Sequence, residues 1–291
     1  MKLKVLLIVN LVTICALISG QNKVHGYIYD KQTSKLLPFA TVGAMNMKYG
    51  TYTDTSGFFT LYFSNEHDSL LISYLGFKSV YTTVYDVQRI AKIYLEPNPV
   101  QLKEITINPK KTKKKVREIG LFDKKSTGYL LPPYELNIQA AFMAFPKNGE
   151  EVVMKSIRFK YKLLKNNSPL RVRILRVTDN GQPGEDMVAE NIIFNQYKQN
   201  RAQEAVIDIL KYNIIMPVNG VFIAFEWIDR DKNLTTTKDQ IRDHGPCIGA
   251  ISNRNTSNPV WSNSYNQRKW VAMSLPLTYA VGLTVVNYTE K

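Results

Sequence analysis

Between Lys23 and Pro97, apolar side chains recur at every second position in short runs, and no run carries a long helical period. A period of two throws alternate side chains to opposite faces, so each run predicts a half-buried strand. Val24 and Ile28 fall on one face, with Tyr27 and Tyr29 on the other. Ala40, Val42 and Ala44 alternate with Thr41 and Gly43. Phe59, Leu61 and Phe63 alternate with Thr60 and Tyr62, and Ile93 and Leu95 with Lys92 and Tyr94. Turn-forming residues separate the runs at Asp30 to Ser34, Tyr49-Gly50, Asp54 to Gly57 and Asn65 to Ser69. About seven short strands in so little chain predict a small β-sandwich over residues 22–97.

The local chemistry is that of a scaffold. Pro38 fits a strand start, where its missing N–H does no harm. Gly50 and Gly57 suit turn positions with positive φ, and the Asp54 carboxylate can accept from backbone N–H groups a few residues on. Gly76 allows a bend between Tyr74 and Phe77. Nothing in the stretch points at a reacting atom.

The text G-Y-I-Y-D, L-P-F-A-T-V, Y-G-T-Y-T-D-T-S-G-F-F-T-L and D-S-L-L-I-S-Y-L-G-F-K, over residues 26–78, resembles the carboxypeptidase regulatory-like domain. The matching positions include Gly26, Asp30, Pro38, Gly50, Asp54, Gly57, Phe59, Tyr74 and Gly76. The resemblance implies a transthyretin-like sandwich of the kind common in exported Bacteroidetes proteins. It covers about a quarter of the chain. Leu102 to Ile107 is similar to the segment that follows this domain in TonB-dependent outer-membrane receptors, but the remaining chain is too short for a receptor barrel. More diffusely, the C-terminal part resembles the sandwich behind this domain in other short envelope proteins, of unestablished role.

Lys2 and Lys4, the apolar run Val5 to Ile18 and the small residues Ser19-Gly20 predict a secretory leader over residues 1–20. The exported chain then keeps one cysteine, Cys247, and no internal disulfide. The formal charge is +14, and loss of Lys2 and Lys4 lowers it by two. Such a field favours anionic partners, and outside the cytoplasm glycans and lipid headgroups are better partners than nucleic acid. Residues 98–125, with a dense basic run from Lys110 to Arg117, read as a basic linker, with peripheral contact to an anionic membrane surface as the alternative. Alternating runs resume over residues 126–291 and predict a larger antiparallel, jelly-roll-like sandwich. The expected fold class is all-β.

Catalytic chemistry is sparse. A zinc peptidase needs paired His and Glu ligands, and neither His25, His67 nor His244 has a Glu at that spacing. His244 and Cys247 offer two ligands and no more. Cys247 opens the apolar run C-I-G-A-I, which favours a buried thiol over a nucleophile. Asp179, Glu185 and Asp186 share a loop that Gly and Pro suffice to explain, with calcium as the alternative. No cofactor is expected.

The candidate ligand-binding residues are Arg158 and Lys160 on one strand, Arg171 and Arg173 on the next, and Trp261, Tyr265 and Trp270 in a polar stretch. If the two strands pair, five cations counting Lys162 line one sheet surface. Like charges placed opposite one another call for an anion or neighbouring acids. The expected function is a non-enzymatic exported binding or scaffold module of the cell envelope, for anionic glycan, lipopolysaccharide or an outer-membrane protein. The alternatives are a hydrolase using a carboxylate pair that includes Glu226, and a structural subunit of an outer-membrane complex.

Overall fold

The computed structural model describes residues 22–45, 50–63, 65–98, 112–122, 128–130, 137–144, 146, 150–195, 203–228, 244–252, 259–264 and 269–290. The chain is all-β. Seven short strands form the first sandwich. One sheet has the order Phe58–Phe63, Asn22–Asp30, Lys92–Leu95, and the other Gly50–Tyr52, Thr41–Ala44, Ser69–Ser73, Val80–Thr83. The alternation works as the period demands. Val24, Ile28, Val42, Phe59, Leu61, Leu70, Ile72 and Leu95 meet in one core, and Tyr27 and Tyr94 stay exposed.

A helix, Val84–Ile90, breaks the all-strand expectation. At seven residues it is too short to print a helical period. Its signal is the start: the Thr83 hydroxyl accepts from the Asp86 N–H at 3.1 Å and donates to the Asp86 carboxylate at 2.6 Å. This reciprocal cap satisfies an orphan N–H. The helix returns the chain so that Lys92–Leu95 lies parallel to Asn22–Asp30, while Val84 and Val87 are buried in the core.

The turn before Phe58 closes as its residues require. Asp54 Oδ1 accepts from the Ser56 N–H at 2.8 Å and the Phe58 N–H at 3.0 Å. Gly57 sits at φ +69°, and a Cβ there would lie 2.9 Å from Leu36 Cβ. Gly57→Ala is therefore expected to cost at least ~1–2 kcal/mol, the penalty of a left-handed non-glycine residue, read as a lowered midpoint in urea unfolding. Gly50 needs no such freedom. It pairs with Gly43 inside a strand.

The second sandwich packs two seven-stranded sheets. One has the order Pro183–Asp186, Leu170–Val177, Val221–Trp227, Asn137–Ala144, Val260–Ser264, Trp270–Met273, with Ile192–Phe194 also paired to Leu170–Val177. The other runs Leu277–Tyr279, Cys247–Ser252, Val153–Lys162, Val281–Glu290, Thr112–Gly120, with Gln203–Asp208 and Gly128–Leu130 paired to its members. Ile157, Phe159, Val172, Ile174, Ile223, Phe225, Tyr279 and Leu283 fill the space between them.

Two expectations need correction here. The basic run is not all linker: Thr112–Gly120 pairs residue by residue with Val281–Glu290, from Gly282 opposite Gly120 to Glu290 opposite Thr112. Thr112–Gly120 thus belongs to the second sandwich. Ile119 anchors this strand in the core, and an edge strand rich in Lys resists pairing with another chain. Nor do the strands bearing Arg158 and Arg171 pair. Val153–Lys162 and Leu170–Val177 belong to opposite sheets of the sandwich, so no five-cation surface forms.

Candidate functional site at the domain seam

Strand Val221–Trp227 is buried along its whole length. Val221, Ile223, Phe225 and Trp227 point into the sandwich, which leaves Phe222, Ala224 and Glu226 on the outer face. A carboxylate buried on an outer face requires a cover and a counter-charge. Both are present. The register sets Arg171 directly opposite Glu226, and Arg171 Nη1 donates to Glu226 Oε2 at 2.8 Å. The cover is the first domain: the Tyr52 hydroxyl donates to Glu226 Oε1 at 3.2 Å, and Arg171 Nη2 donates to the Phe39 carbonyl. Phe39 presents that carbonyl from a left-handed backbone, φ 63°. Tyr52 and Ile228 are buried beside this network with Phe39 and Ile193 against them.

Arg173 extends the network. It grips Asp186 bidentately, with Nε–Oδ1 at 2.8 Å, and its Nη1 lies 3.9 Å from Glu226 Oε2. Burial opposes its charge, but Asp186 and then Glu226 hold the guanidinium above its ordinary range. Two ion pairs therefore form one linked unit in a low-dielectric seam, where breaking either leaves a stranded charge. A polar cleft of about 490 Å³ opens alongside, with Tyr74 and Phe77 on one wall and Arg173, Glu185 and Asp186 on the other. Gly76 makes the close approach possible: at φ +79°, a Cβ there would lie 2.8 Å from Ala189 Cβ.

The structure thus brings the basic-strand pair Arg171 and Arg173 together with Glu226, the carboxylate of the hydrolase alternative. It separates them from Arg158 and Lys160. Those lie on the other sheet, where Arg158 is paired with Glu118 and Glu204 and covers the Phe122 ring at 4.6 Å. Lys160 sits opposite Glu204, with its Nζ 5.7 Å from the same ring. This is a charged face with its acids on neighbouring strands. Trp261 and Trp270 are half-buried against Leu175, Phe222 and Ala224, and Trp261 meets Phe222 edge-on at 6.4 Å. They cap the sheet. Tyr265 lies outside the described residues.

Cys247 is buried, and burial pushes its thiol up, the opposite of an activated nucleophile. In the acidic loop, Asp186 is taken by Arg173, Asp179 is exposed and Glu185 borders the cleft. Among the described residues no three metal-ligating side chains converge, and no helix is long and apolar enough to cross a membrane.

One surface escaped the sequence reading as a candidate. The outer face of the three-stranded sheet carries Lys23, His25, Tyr27 and Tyr29 on one strand, flanked by Phe58, Thr60 and Tyr62 and by Lys92 and Tyr94. Tyr27 and Phe58 have centroids 5.1 Å apart, and Tyr29 stacks on Tyr94 at 5.3 Å with 24° between planes. Tyr27 is 39% and Tyr94 46% exposed. No acid occupies any of these outward positions. The signal was the alternation itself, which already placed Tyr27 and Tyr29 outward.

No curated protein matches the chain. Among solved structures, a chain from "Structure of infectious bursal disease virus Gx strain" is similar at 8% identity and a TM-score of 0.26. The alignment covers 92% of this chain and 65% of that one, and the score lies below the level of a shared fold. Residues 24–107 match the sequence profile described as CarboxypepD_reg-like domain. That range spans the first sandwich from Val24 through its last strand, Lys92–Leu95, so it is this sandwich that matches the CarboxypepD_reg-like domain.

Proposed function

We propose that the chain is a non-enzymatic, exported cell-envelope protein that binds an anionic glycan on the outer face of its CarboxypepD_reg-like domain. The observation that carries this is the pairing of Tyr27 with Phe58 and of Tyr29 with Tyr94 on a face that also carries Lys23 and Lys92, with no acid at these outward strand positions. Tyrosine offers a large rigid apolar surface with a polar tip, suited to the C–H faces and hydroxyls of a sugar. The lysines supply a charge selectivity that Arg158 and Arg171 do not, since those two cations are already paired. A chain that stays strongly basic after losing Lys2 and Lys4 from its formal +14 draws a polyanion toward any such face.

The binding reading is preferred to the hydrolase reading because of Glu226. Its two oxygens are occupied by Tyr52 and Arg171, which suits a structural clasp better than proton transfer to a substrate. The second sandwich would then act as the rigid body on which the recognition domain is mounted.

The test is affinity electrophoresis of residues 21–291 through gels containing polygalacturonate or neutral hydroxyethylcellulose. Retardation by the acidic polymer alone is expected, falling with salt. Tyr27→Ala combined with Tyr94→Ala is expected to weaken it about tenfold or more, taking ~0.5–1.5 kcal/mol per aromatic contact, with the thermal midpoint nearly unchanged for these surface positions. Equal retardation of this variant and the parent would refute the assignment. Retention by a stoichiometric envelope protein instead would favour the subunit reading.

A further inference from the structure

We propose that the cleft at the domain seam is a second binding site, for a neutral, hydroxyl-rich small molecule such as a monosaccharide. This goes beyond the anionic glycan reading, since it concerns a different surface and an uncharged ligand. The cleft is large enough: about 490 Å³, against the ~300–1,000 Å³ of small-molecule sites. Its lining carries two guanidiniums, Arg171 and Arg173, and three carboxylates, Glu185, Asp186 and Glu226. Four of these five charges compensate one another in the Arg171–Glu226 and Arg173–Asp186 pairs.

A free anion would face three acids, and a compact cation would face two guanidiniums held in place by their pairs. A hydroxyl is the group such a lining suits, because it accepts from a guanidinium N–H and donates to a carboxylate at once. The lining retains unused capacity for that role. Glu185 borders the cleft and is exposed, stands outside both ion pairs, and can accept from a hydroxyl. Asn98 and Ser79 add neutral polar groups at the cleft. Tyr74 and Phe77, edge to face at 5.2 Å, give an apolar wall for the C–H face of a sugar ring. Burial pushes the Tyr74 phenol up against the opposing pulls of Asn191 and Arg171, so it stays a neutral donor.

Both domains supply the lining, so a ligand here would stabilise their docking and raise the melting temperature by linkage. The experiment is a thermal-shift titration of residues 21–291 with glucose, galactose, mannose and N-acetylglucosamine, with galacturonate and glucosamine as charged counterparts. At least one neutral sugar is expected to raise the melting temperature by roughly 5 °C at about a hundredfold excess over its Kd. Ser79→Trp, which plugs the exposed edge of the cleft without touching the ion pairs, is expected to abolish that rise. The rise should persist in the Tyr27→Ala, Tyr94→Ala variant, so failure of this site and failure of the tyrosine face are separately visible. No rise with any neutral sugar, a rise that survives Ser79→Trp, or a larger rise with galacturonate or glucosamine would each overturn the proposal.

Discussion

Glu226→Ala is expected to destabilise the chain by about 3–5 kcal/mol, the cost of leaving a buried ion-pair partner without its counter-charge. Arg171 would lose the oxygen 2.8 Å from its Nη1, and the Tyr52 hydroxyl would lose its acceptor. Neither can turn to water, since Arg171 and Tyr52 are both buried. The loss should concentrate at the seam: limited proteolysis is expected to cut between the two sandwiches in the variant before either sandwich unfolds. A second variant separates charge from packing. Arg171→Met with Glu226→Leu removes both charges together, and a buried pair exchanged for apolar residues of similar size is often close to neutral. The double variant is therefore expected to be more stable in urea than Glu226→Ala, in spite of two lost contacts to the first domain. If the single variant were as stable as the parent, the seam would be an incidental contact.

One residue earlier, Phe225→Ala is expected to cost a similar ~3–5 kcal/mol for a different reason. Phe225 is fully buried on the inward face of the same strand. Its ring meets Phe159 at 5.1 Å and Tyr279 at 5.4 Å, both edge to face. Removing it leaves a cavity between the two large sheets that their side chains can only partly fill. The expected signature is a lowered urea midpoint for the second sandwich, while the Tyr52 hydrogen bond at the seam survives until that sandwich melts. Two adjacent residues thus test the two faces of one strand. Phe225 reports on the core that holds the sheets together, Glu226 on the clasp that holds the domains together.

Much of this architecture is legible in the sequence because it is local. The period-two runs, the Asp54 turn and the outward Tyr27 and Tyr29 all follow from neighbouring residues. The CarboxypepD_reg-like resemblance rests on the same stretch. The misreadings came where pairing is remote. Thr112–Gly120 looks like solvated linker because its partner strand, Val281–Glu290, lies at the far end of the chain; Ile119 was the one hint of a buried face. Arg158 and Arg171 looked like neighbours because a turn-like K-N-N-S-P joins their strands. Yet Asn166–Asn167 pairs with His244–Gly245 instead of closing a hairpin, and the chain crosses to the other sheet. The clasp was the least legible of all. Tyr52 and Glu226 are 174 positions apart, and no spacing rule links a strand of one domain to the outer face of another. Trp261 and Trp270 read equally well as a sugar platform or as a cap, because the residues they pack against, Leu175, Phe222 and Ala224, are remote in sequence.

If recognition belongs to the aromatic and lysine face of the first domain, as proposed, a bound ligand protects that face and spares the second sandwich. Hydrogen exchange of residues 21–291, with and without saturating oligogalacturonate, tests it most directly. Slowed exchange is predicted in Asn22–Asp30, Phe58–Phe63 and Lys92–Leu95, the three strands of that sheet, with Val153–Lys162 unchanged. Protection confined to Val153–Lys162, or no protection in the first domain, would contradict it.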